Sequence, residues 1–118
     1  MNEVELRPWG TYEVLLDSYN CKVKRITVFP KQRLSYQSHN HRSETWIGVE
    51  GMGLVTINGY DQTLNPKSTI YIEQKQKHRI QNISNLNKNL VFIEVQHSND
   101  GIFDESDIIR YEDDYKRI

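Results

Sequence analysis

Short runs of β-forming residues, each followed by a turn signal, succeed one another along almost the whole chain. The clearest turn is Asn58-Gly59 between Ile57 and Tyr60, because both central residues tolerate the positive φ that a type I′ hairpin requires. Almost no stretch shows the 3.6-residue period of an amphipathic helix. The pattern therefore predicts an all-β protein, either a barrel or a double-sheet jelly roll.

The same pattern places the individual elements. At 118 residues and 14.0 kDa there is room for one domain, residues 1–118, around one core. Residues 1–6 read as a tail or an edge strand. The acidic and aromatic segment 103–118 reads by composition as a solvated tail that could form a turn of helix. Strands are predicted over residues 11–16, 21–29, 33–39, 45–50, 54–57, 69–72, 79–83 and 90–96.

Side chains that bind metal ions concentrate just before the middle of the chain and recur later. On a strand, Gln37 and His39 would share one face, and Glu44 follows after a short bend. His78 would have to return on another strand to complete a pocket of two imidazoles, a carboxylate and an amide oxygen. Such a set suits one divalent ion, with Zn²⁺ as first choice and Mn²⁺, Fe²⁺, Ni²⁺ or Co²⁺ as alternatives.

These residues and their spacing resemble the two motifs of the cupin superfamily. The His-x-His pair of the first motif falls on Gln37 and His39, and its glutamate falls on Glu44. The histidine and asparagine of the second motif fall on His78 and Asn82. The resemblance implies a single-domain cupin double-stranded β-helix, that is, a jelly-roll barrel with a metal site inside.

Further blocks are similar to one branch of that superfamily, the cupin domain of type II mannose-6-phosphate isomerases. The blocks are Arg7-Pro8-Trp9-Gly10, residues 22–28, 34–37 and 41–46, Ile93-Glu94-Val95-Gln96 and residues 107–115. In that family this domain is often the C-terminal part of a bifunctional enzyme that also carries a mannose-1-phosphate guanylyltransferase. The resemblance implies a stand-alone isomerase of mannose 6-phosphate and fructose 6-phosphate, which would feed GDP-mannose and polysaccharide synthesis.

A sugar phosphate needs cations around its phosphate group, and arginine suits phosphate geometry. Lys24, Arg42, Arg79 and Arg110 are available as substrate contacts. Arg110 is the first choice and a candidate catalytic residue, because it matches an arginine of the isomerase motif. Tyr36 could stack on a sugar ring, although core packing is the more common role of such an aromatic.

The proton acceptor cannot be assigned from the sequence. His41, His97 and Glu94 are candidates, and His41 is our catalytic candidate beside Arg110. His41 competes weakly as a metal ligand, since a pair with His39 would leave too few residues before Glu44 for cupin spacing. It reads better as a contact to a ligand or to the substrate. Thr45 stands where the family usually has histidine, which puts any role of that histidine in doubt.

Charge and hydropathy exclude several other classes of protein. A formal net charge of -1 provides no basic field for nucleic acid or an anionic membrane. No apolar run approaches the roughly 20 residues of a membrane helix, and the N-terminus lacks a signal-peptide pattern, so we expect a cytoplasmic protein. Exposed sheet edges favour a homodimer. The alternatives are a cupin acting on another sugar phosphate, a non-catalytic sugar- or metal-binding module that partners a separate guanylyltransferase, and a storage role.

Overall fold

The computed structural model describes residues 2–118; Met1, part of the predicted segment 1–6, lies outside the described residues. Within that range the chain forms eleven strands. Their bounds are β1 (Val4–Arg7), β2 (Gly10–Asp17), β3 (Cys21–Val28), β4 (Tyr36–Ser38), β5 (Ser43–Glu50), β6 (Gly53–Ile57), β7 (Tyr60–Leu64), β8 (Thr69–Ile72), β9 (His78–Asn82), β10 (Leu90–His97) and β11 (Ile109–Glu112). Residues 2–118 include no helix that is long and apolar enough to cross a membrane.

The strands form two antiparallel sheets. One has six strands in the order β1-β2-β3-β10-β5-β8, and the other has five in the order β11-β4-β9-β6-β7. One apolar cluster forms the core of the domain. Its buried members are Trp9, Ile26, Val28, Leu34, Trp46, Val55, Leu64, Ile70, Ile72, Ile80, Leu90 and Phe92. The all-β, jelly-roll prediction is confirmed.

A local sequence signal decides the connection between β6 and β7. Ile57 pairs with Tyr60 across the predicted hairpin, and Asn58 and Gly59 have φ values of 48° and 85°. Both values lie in the left-handed region that a type I′ turn needs, so this prediction is confirmed. At the N-terminus, β1 pairs with β2 as an edge strand, which decides between the two readings of that segment.

The C-terminal segment differs from the expectation based on its composition. Instead of a solvated tail or a helical turn, β11 pairs with β4 at the edge of the five-stranded sheet. Beyond it, Asp114 accepts two hydrogen bonds from Arg33 at 2.7 and 2.8 Å, and the Tyr115 hydroxyl donates to Gln32 at 2.6 Å. The composition-based reading is wrong, because these partners are far away in sequence. The order of this segment agrees with the match of residues 107–115 to the isomerase family.

Alternation along the strands puts a polar patch on the inner face of the six-stranded sheet. In β5, Glu44 and Trp46 are buried, whereas Thr45 between them is half-buried and points to the opposite face. Lys24 of β3 and Glu94 of β10 are also buried on the inner side. These polar groups interrupt the apolar core at one end of the barrel.

Candidate metal centre and its cavity

The structure brings three predicted metal ligands together inside the barrel. His39 follows β4, Glu44 is the second residue of β5, and His78 is the first residue of β9. One ligand atom from each lies within 4.8 Å of the others, and all three residues are buried. His39 Nε2 is 3.3 Å from Glu44 Oε2, and His78 Nε2 is 4.0 Å from Glu44 Oε1.

Both histidine rings are oriented by backbone carbonyl groups. His39 Nδ1 lies 2.7 Å from the carbonyl oxygen of Asp107, and His78 Nδ1 lies 2.9 Å from that of Gln76. Because a carbonyl oxygen can only accept, each Nδ1 carries a hydrogen, and the two Nε2 atoms are the ring nitrogens that lie near Glu44. Metal-binding histidines are commonly held in this way. Burial lowers the pKa of His39 to about 3, with Arg42 and His78 adding to the effect, so the ring stays neutral at pH 7.

Gln37 completes the predicted donor set. It is buried, lines the same cavity and lies opposite His78 in the pairing of β4 with β9. Its Nε2 donates to the Ser35 carbonyl at 3.4 Å, which leaves the amide oxygen for another partner. Two imidazoles, one carboxylate and one amide oxygen fit a divalent metal ion. The residues present therefore suit the group that the sequence predicts.

The Glu44 carboxylate is fixed from two sides. Arg42 Nε donates to Oε2 at 2.8 Å, and Trp46 Nε1 donates to Oε1 at 2.9 Å. Burial by itself acts to raise the pKa of Glu44, but the adjacent Arg42 guanidinium outweighs it and lowers the pKa below its ordinary value. Glu44 is thus a buried anion whose charge Arg42 balances.

A second buried carboxyl group lies next to the first. Glu94 accepts hydrogen bonds from Trp46 Nε1 at 3.2 Å and from Gln96 Nε2 at 2.8 Å. Burial raises the pKa of Glu94, and the nearby negative charge of Glu44 raises it further. Two carboxyl groups that share one small site cannot both be anionic without cost, so Glu94 retains a proton far more readily than Glu44.

These groups line a cavity of about 150 Å³. The buried candidate ligands His39, Glu44 and His78 form part of its lining, and we call these three residues the floor. Cationic side chains also line the cavity; they are Arg7, Lys24, Arg42, Arg110 and Arg117. An anionic ligand in this cavity would thus meet both a metal site and several positive charges.

Three of the predicted substrate contacts line the cavity: Lys24, Arg42 and Arg110. Lys24 is buried, and its Nζ lies 2.6 Å from Glu105 Oε1, whereas Arg25 is exposed, as expected for neighbours on a strand. Arg110 lines the same cavity. Among residues 2–118, its Nε is one of two buried side-chain polar atoms without a hydrogen-bond partner.

Tyr36 and Arg79 do not face the cavity. Tyr36 precedes the cavity residue Gln37 on β4, and Arg79 follows the cavity residue His78 on β9. Since neighbours on a strand point to opposite faces, both side chains lie on the other side of the sheet. Both line a separate surface groove, where Arg79 Nε donates to the Leu34 carbonyl at 3.0 Å and Tyr36 packs against Tyr111. The cavity geometry gives no support to their predicted contact with substrate.

His41 and His97 also lie outside the cavity lining. His41 is two residues from His39, but β4 ends at Ser38, so the rule of alternation no longer applies. Its ring is partly exposed and lies 3.1 Å from Asp100 Oδ2. His97 is exposed and lines a different surface pocket. Of the three candidate proton acceptors, Glu94 is the one that lines the cavity.

Sequence reasoning missed the role of the segment between β10 and β11. Asp107 accepts from His39 through its carbonyl, and its carboxylate accepts from the backbone N–H groups of Asn40 and His41, each at 2.9 Å. Glu105 from the same segment reaches Lys24. Asp107 is 68 residues from His39 along the chain, and no local pattern signals such a contact.

Thr45 occupies a position that faces away from the floor. It lies on the opposite side of β5 from Glu44, across from Val95 on one neighbouring strand and from Tyr71 on the other. A histidine at this position would share that orientation. The departure from the family pattern therefore does not remove a group from the cavity.

Comparison with known proteins agrees with these observations. A family model described as "Mannose-6-phosphate isomerase C-terminal" matches residues 1–113. The mannose-1-phosphate guanylyltransferase ManC of Salmonella typhimurium is 38% identical over 118 residues, which cover 100% of this chain and 24% of ManC. The xanthan biosynthesis protein XanB of Xanthomonas campestris is 40% identical over 111 residues, covering 94% of this chain and 23% of XanB. The chain thus spans about a quarter of the length of the curated relatives it matches.

The fold has solved counterparts. The cupin domain of Schizosaccharomyces pombe Cnp3 superposes with a TM-score of 0.74 at 11% identity, covering 81% of this chain and 69% of that chain. At this identity the likeness concerns the fold alone. The predicted cupin architecture is confirmed.

Proposed function

Because the chain belongs to the mannose-6-phosphate isomerase C-terminal family, we propose that it interconverts mannose 6-phosphate and fructose 6-phosphate with one bound divalent metal ion. The observation that carries the proposal is the meeting, in one cavity, of a metal-ligand floor and several cationic side chains. The names of the relatives, which concern mannose 1-phosphate and xanthan, support a role in GDP-mannose and polysaccharide synthesis.

The proposed ligands of the ion are Gln37, His39, Glu44 and His78. Aldose–ketose isomerisation moves a proton between adjacent carbons and builds negative charge on the substrate oxygens. A divalent ion at this site would supply Lewis-acid stabilisation of that charge, and Zn²⁺ is our first choice. The chain's own side chains must supply the proton transfer and the binding of the phosphate group.

We assign the proton transfer to Glu94. It lines the cavity, it is buried, and burial together with Glu44 raises its pKa towards the working pH. A carboxyl group with a raised pKa can both accept a proton from one carbon and return it to the next. His41 and His97 lack this position, so neither has a part in the proposed step.

We assign the phosphate group to Arg110 and Lys24. The buried Nε of Arg110 has no partner in the described part of the chain, and a guanidinium can donate two parallel hydrogen bonds to a phosphate. Lys24 is the buried cation nearest to Glu105, and an anionic substrate would compete with that carboxylate for it. Both side chains line the same cavity as the floor residues.

A coupled assay tests the proposal. Chelator-treated protein is reloaded with Zn²⁺, Mn²⁺, Fe²⁺, Ni²⁺ or Co²⁺, and the formation of fructose 6-phosphate from mannose 6-phosphate is followed. We expect turnover that returns with at least one ion and disappears in His39→Ala. Stoichiometric metal binding without turnover by any form would sink the isomerase assignment.

The same assay separates the two alternatives. A cupin acting on another sugar phosphate would turn over a different member of a substrate panel with the same dependence on metal. A non-catalytic module would bind sugar phosphate or metal without turnover, and a separate guanylyltransferase chain would then be its expected partner. We also propose that the reaction takes place in the cytoplasm.

We also propose a homodimer. The outer face of the six-stranded sheet exposes Ile47, Val49 and Tyr71, and the sheet has free edges at β1 and β8. Burying such a face or edge against a second copy would stabilise the protein. Light scattering at micromolar concentration checks this, and a monomer there would rule the proposal out.

A further inference from the structure

Arg42 is a buried cation in direct contact with two of the proposed metal ligands. Its Nε donates to Glu44 Oε2 at 2.8 Å, and its Nη2 lies 3.2 Å from His39 Nε2. Its side chain is 7% exposed. Because the carbonyl of Asp107 fixes the hydrogen of His39 on Nδ1, Nε2 is the acceptor in this contact. The guanidinium group thus donates to the lone pair that would bind a metal.

A metal ion and Arg42 therefore need the same atom of the ring. Nε2 of a neutral imidazole has one lone pair in the ring plane, which can accept a hydrogen or coordinate an ion but cannot do both. The guanidinium also balances the charge of Glu44, which an ion would otherwise balance. Two cations in one buried site repel each other much more strongly than they do in water.

We propose that Arg42 is an internal competitor of the metal ion. Arg42 neutralises Glu44 and donates to Nε2 of His39, and it must leave that lone pair for an ion to bind there. The inference rests on the metal centre of the proposed function. It gives Arg42 two opposite effects: it stabilises the metal-free fold, since a buried carboxylate without a partner is costly, and it weakens the binding of the ion.

The opposite expectation is that Arg42 supports the ion by orienting Glu44. Groups that hydrogen-bond to metal ligands commonly strengthen metal binding, and their loss lowers affinity about 10- to 100-fold. Competition predicts instead that loss of Arg42 raises the metal affinity, because an ion then no longer has to break the contact between Arg42 and His39. Measured metal affinity therefore separates the two roles.

The experiment compares three proteins: wild type, Arg42→Met and Arg25→Met. Methionine keeps an unbranched apolar stem and removes the charge. Arg25 is the matched control, since its side chain is exposed on the outer face of the six-stranded sheet. There Arg25 Nη1 lies 3.3 Å from Glu13 Oε1. The dissociation constant of Zn²⁺ is measured by competition with a chromophoric chelator at about pH 8, where proton release from the ligands is small. Thermal unfolding of each metal-free protein is measured alongside.

We expect Arg42→Met to bind Zn²⁺ at least about tenfold more tightly than wild type, because a buried positive charge next to the ion is gone. Its metal-free form should unfold at a lower temperature, and saturating Zn²⁺ should raise that temperature by more than it does in wild type. Arg25→Met should match wild type in affinity. Equal or weaker binding of Zn²⁺ by Arg42→Met would overturn the inference.

A second measurement on the wild-type protein keeps the test decisive if Arg42→Met does not fold without metal. In ¹⁵N NMR spectra, the side-chain N–H signals of Arg42 should change their shift and exchange faster as Zn²⁺ is added, and Arg25 signals should not. Unchanged Arg42 signals in the loaded protein would contradict displacement. If wild type bound no Zn²⁺, the metal centre itself would fail, whereas equal affinities would remove only the role of Arg42.

Discussion

The floor of the cavity and its cationic rim are built in different ways; we define the rim as Lys24, Arg110 and Arg117. The Glu44 carboxylate of the floor is bonded by residues two positions away on the chain, Arg42 and Trp46. Lys24, in contrast, is paired with a half-exposed carboxylate, Glu105, which is 81 residues distant. Arg110 and Arg117 both come from the C-terminal segment.

The difference suggests that the floor binds the metal ion and the rim binds the anionic substrate. A floor whose ligands are buried and already held by hydrogen bonds is preorganised for one small ion, since little must be ordered when it binds. Within the rim, Lys24 has a half-exposed partner and Arg110 Nε has none in the described part of the chain, so both can turn to an anionic ligand. Loss of a floor residue should therefore abolish function, whereas loss of a rim residue should weaken substrate binding.

The largest effect is expected from removing a floor ligand. His39→Ala deletes a ligand that no neighbouring side chain replaces, so stoichiometric binding of Zn²⁺ should be lost, and kcat/KM should fall by about 10³-fold or more. Metal analysis of the purified protein and the coupled assay measure both. His97→Ala, in the exposed pocket, is the control. Full activity of His39→Ala would show that the floor is not the catalytic site.

The next effect concerns acid stability of the metal-free protein. His39 has an ordinary pKa of 6.5 when unfolded and a pKa of about 3 when folded, because burial disfavours the charged ring. As the pH falls below 6.5, the unfolded chain takes up a proton that the folded protein does not, so stability decreases towards pH 3. Linkage gives a loss of about 3 kcal/mol at pH 4 from this residue.

Chemical unfolding at several pH values, with chelator present, measures this loss. His39→Gln should flatten the dependence between pH 6.5 and pH 4 relative to wild type, because glutamine does not titrate. His97→Gln, at an exposed position, should leave it unchanged. Parallel curves for wild type and His39→Gln would mean that other groups dominate the acid sensitivity.

A smaller effect is expected at the rim. Arg110→Ala should raise KM for mannose 6-phosphate and lower kcat/KM about 10- to 100-fold, which corresponds to the loss of one charge-assisted contact. The stoichiometry of Zn²⁺ should not change. Steady-state kinetics together with metal analysis test this. Loss of metal in Arg110→Ala would contradict the separation of rim from floor.

The smallest effect is expected outside the cavity. Thr45→His restores the residue usual in the family, but the side chain lies on the opposite face of β5 from Glu44. We expect kcat/KM to stay within about threefold of wild type, as is usual for substitutions away from a site. The coupled assay measures kcat/KM of this variant. An increase of tenfold or more would show that this position reaches the substrate in a way that strand alternation does not explain.

Much of the fold and the residues of the floor could be predicted from the sequence. The hairpin at Asn58-Gly59 and the strand runs are local signals, because turn residues and β-formers act within a few positions. The floor could be predicted since His39, Glu44 and His78 match a spaced motif. The segment 103–118 was misjudged from its composition, because its order comes from pairing with a distant strand.

The sequence by itself thus determined an all-β chain, the turn at Asn58-Gly59 and the residues of the candidate metal centre. The tertiary structure alone decided which of several cations face the cavity, that Glu94 joins the site while His41 does not, and that Asp107 orients His39. The physical reason is the reach of each interaction. Alternation and turns act between near neighbours, whereas a buried hydrogen bond across 68 residues exists only once the sheets have paired.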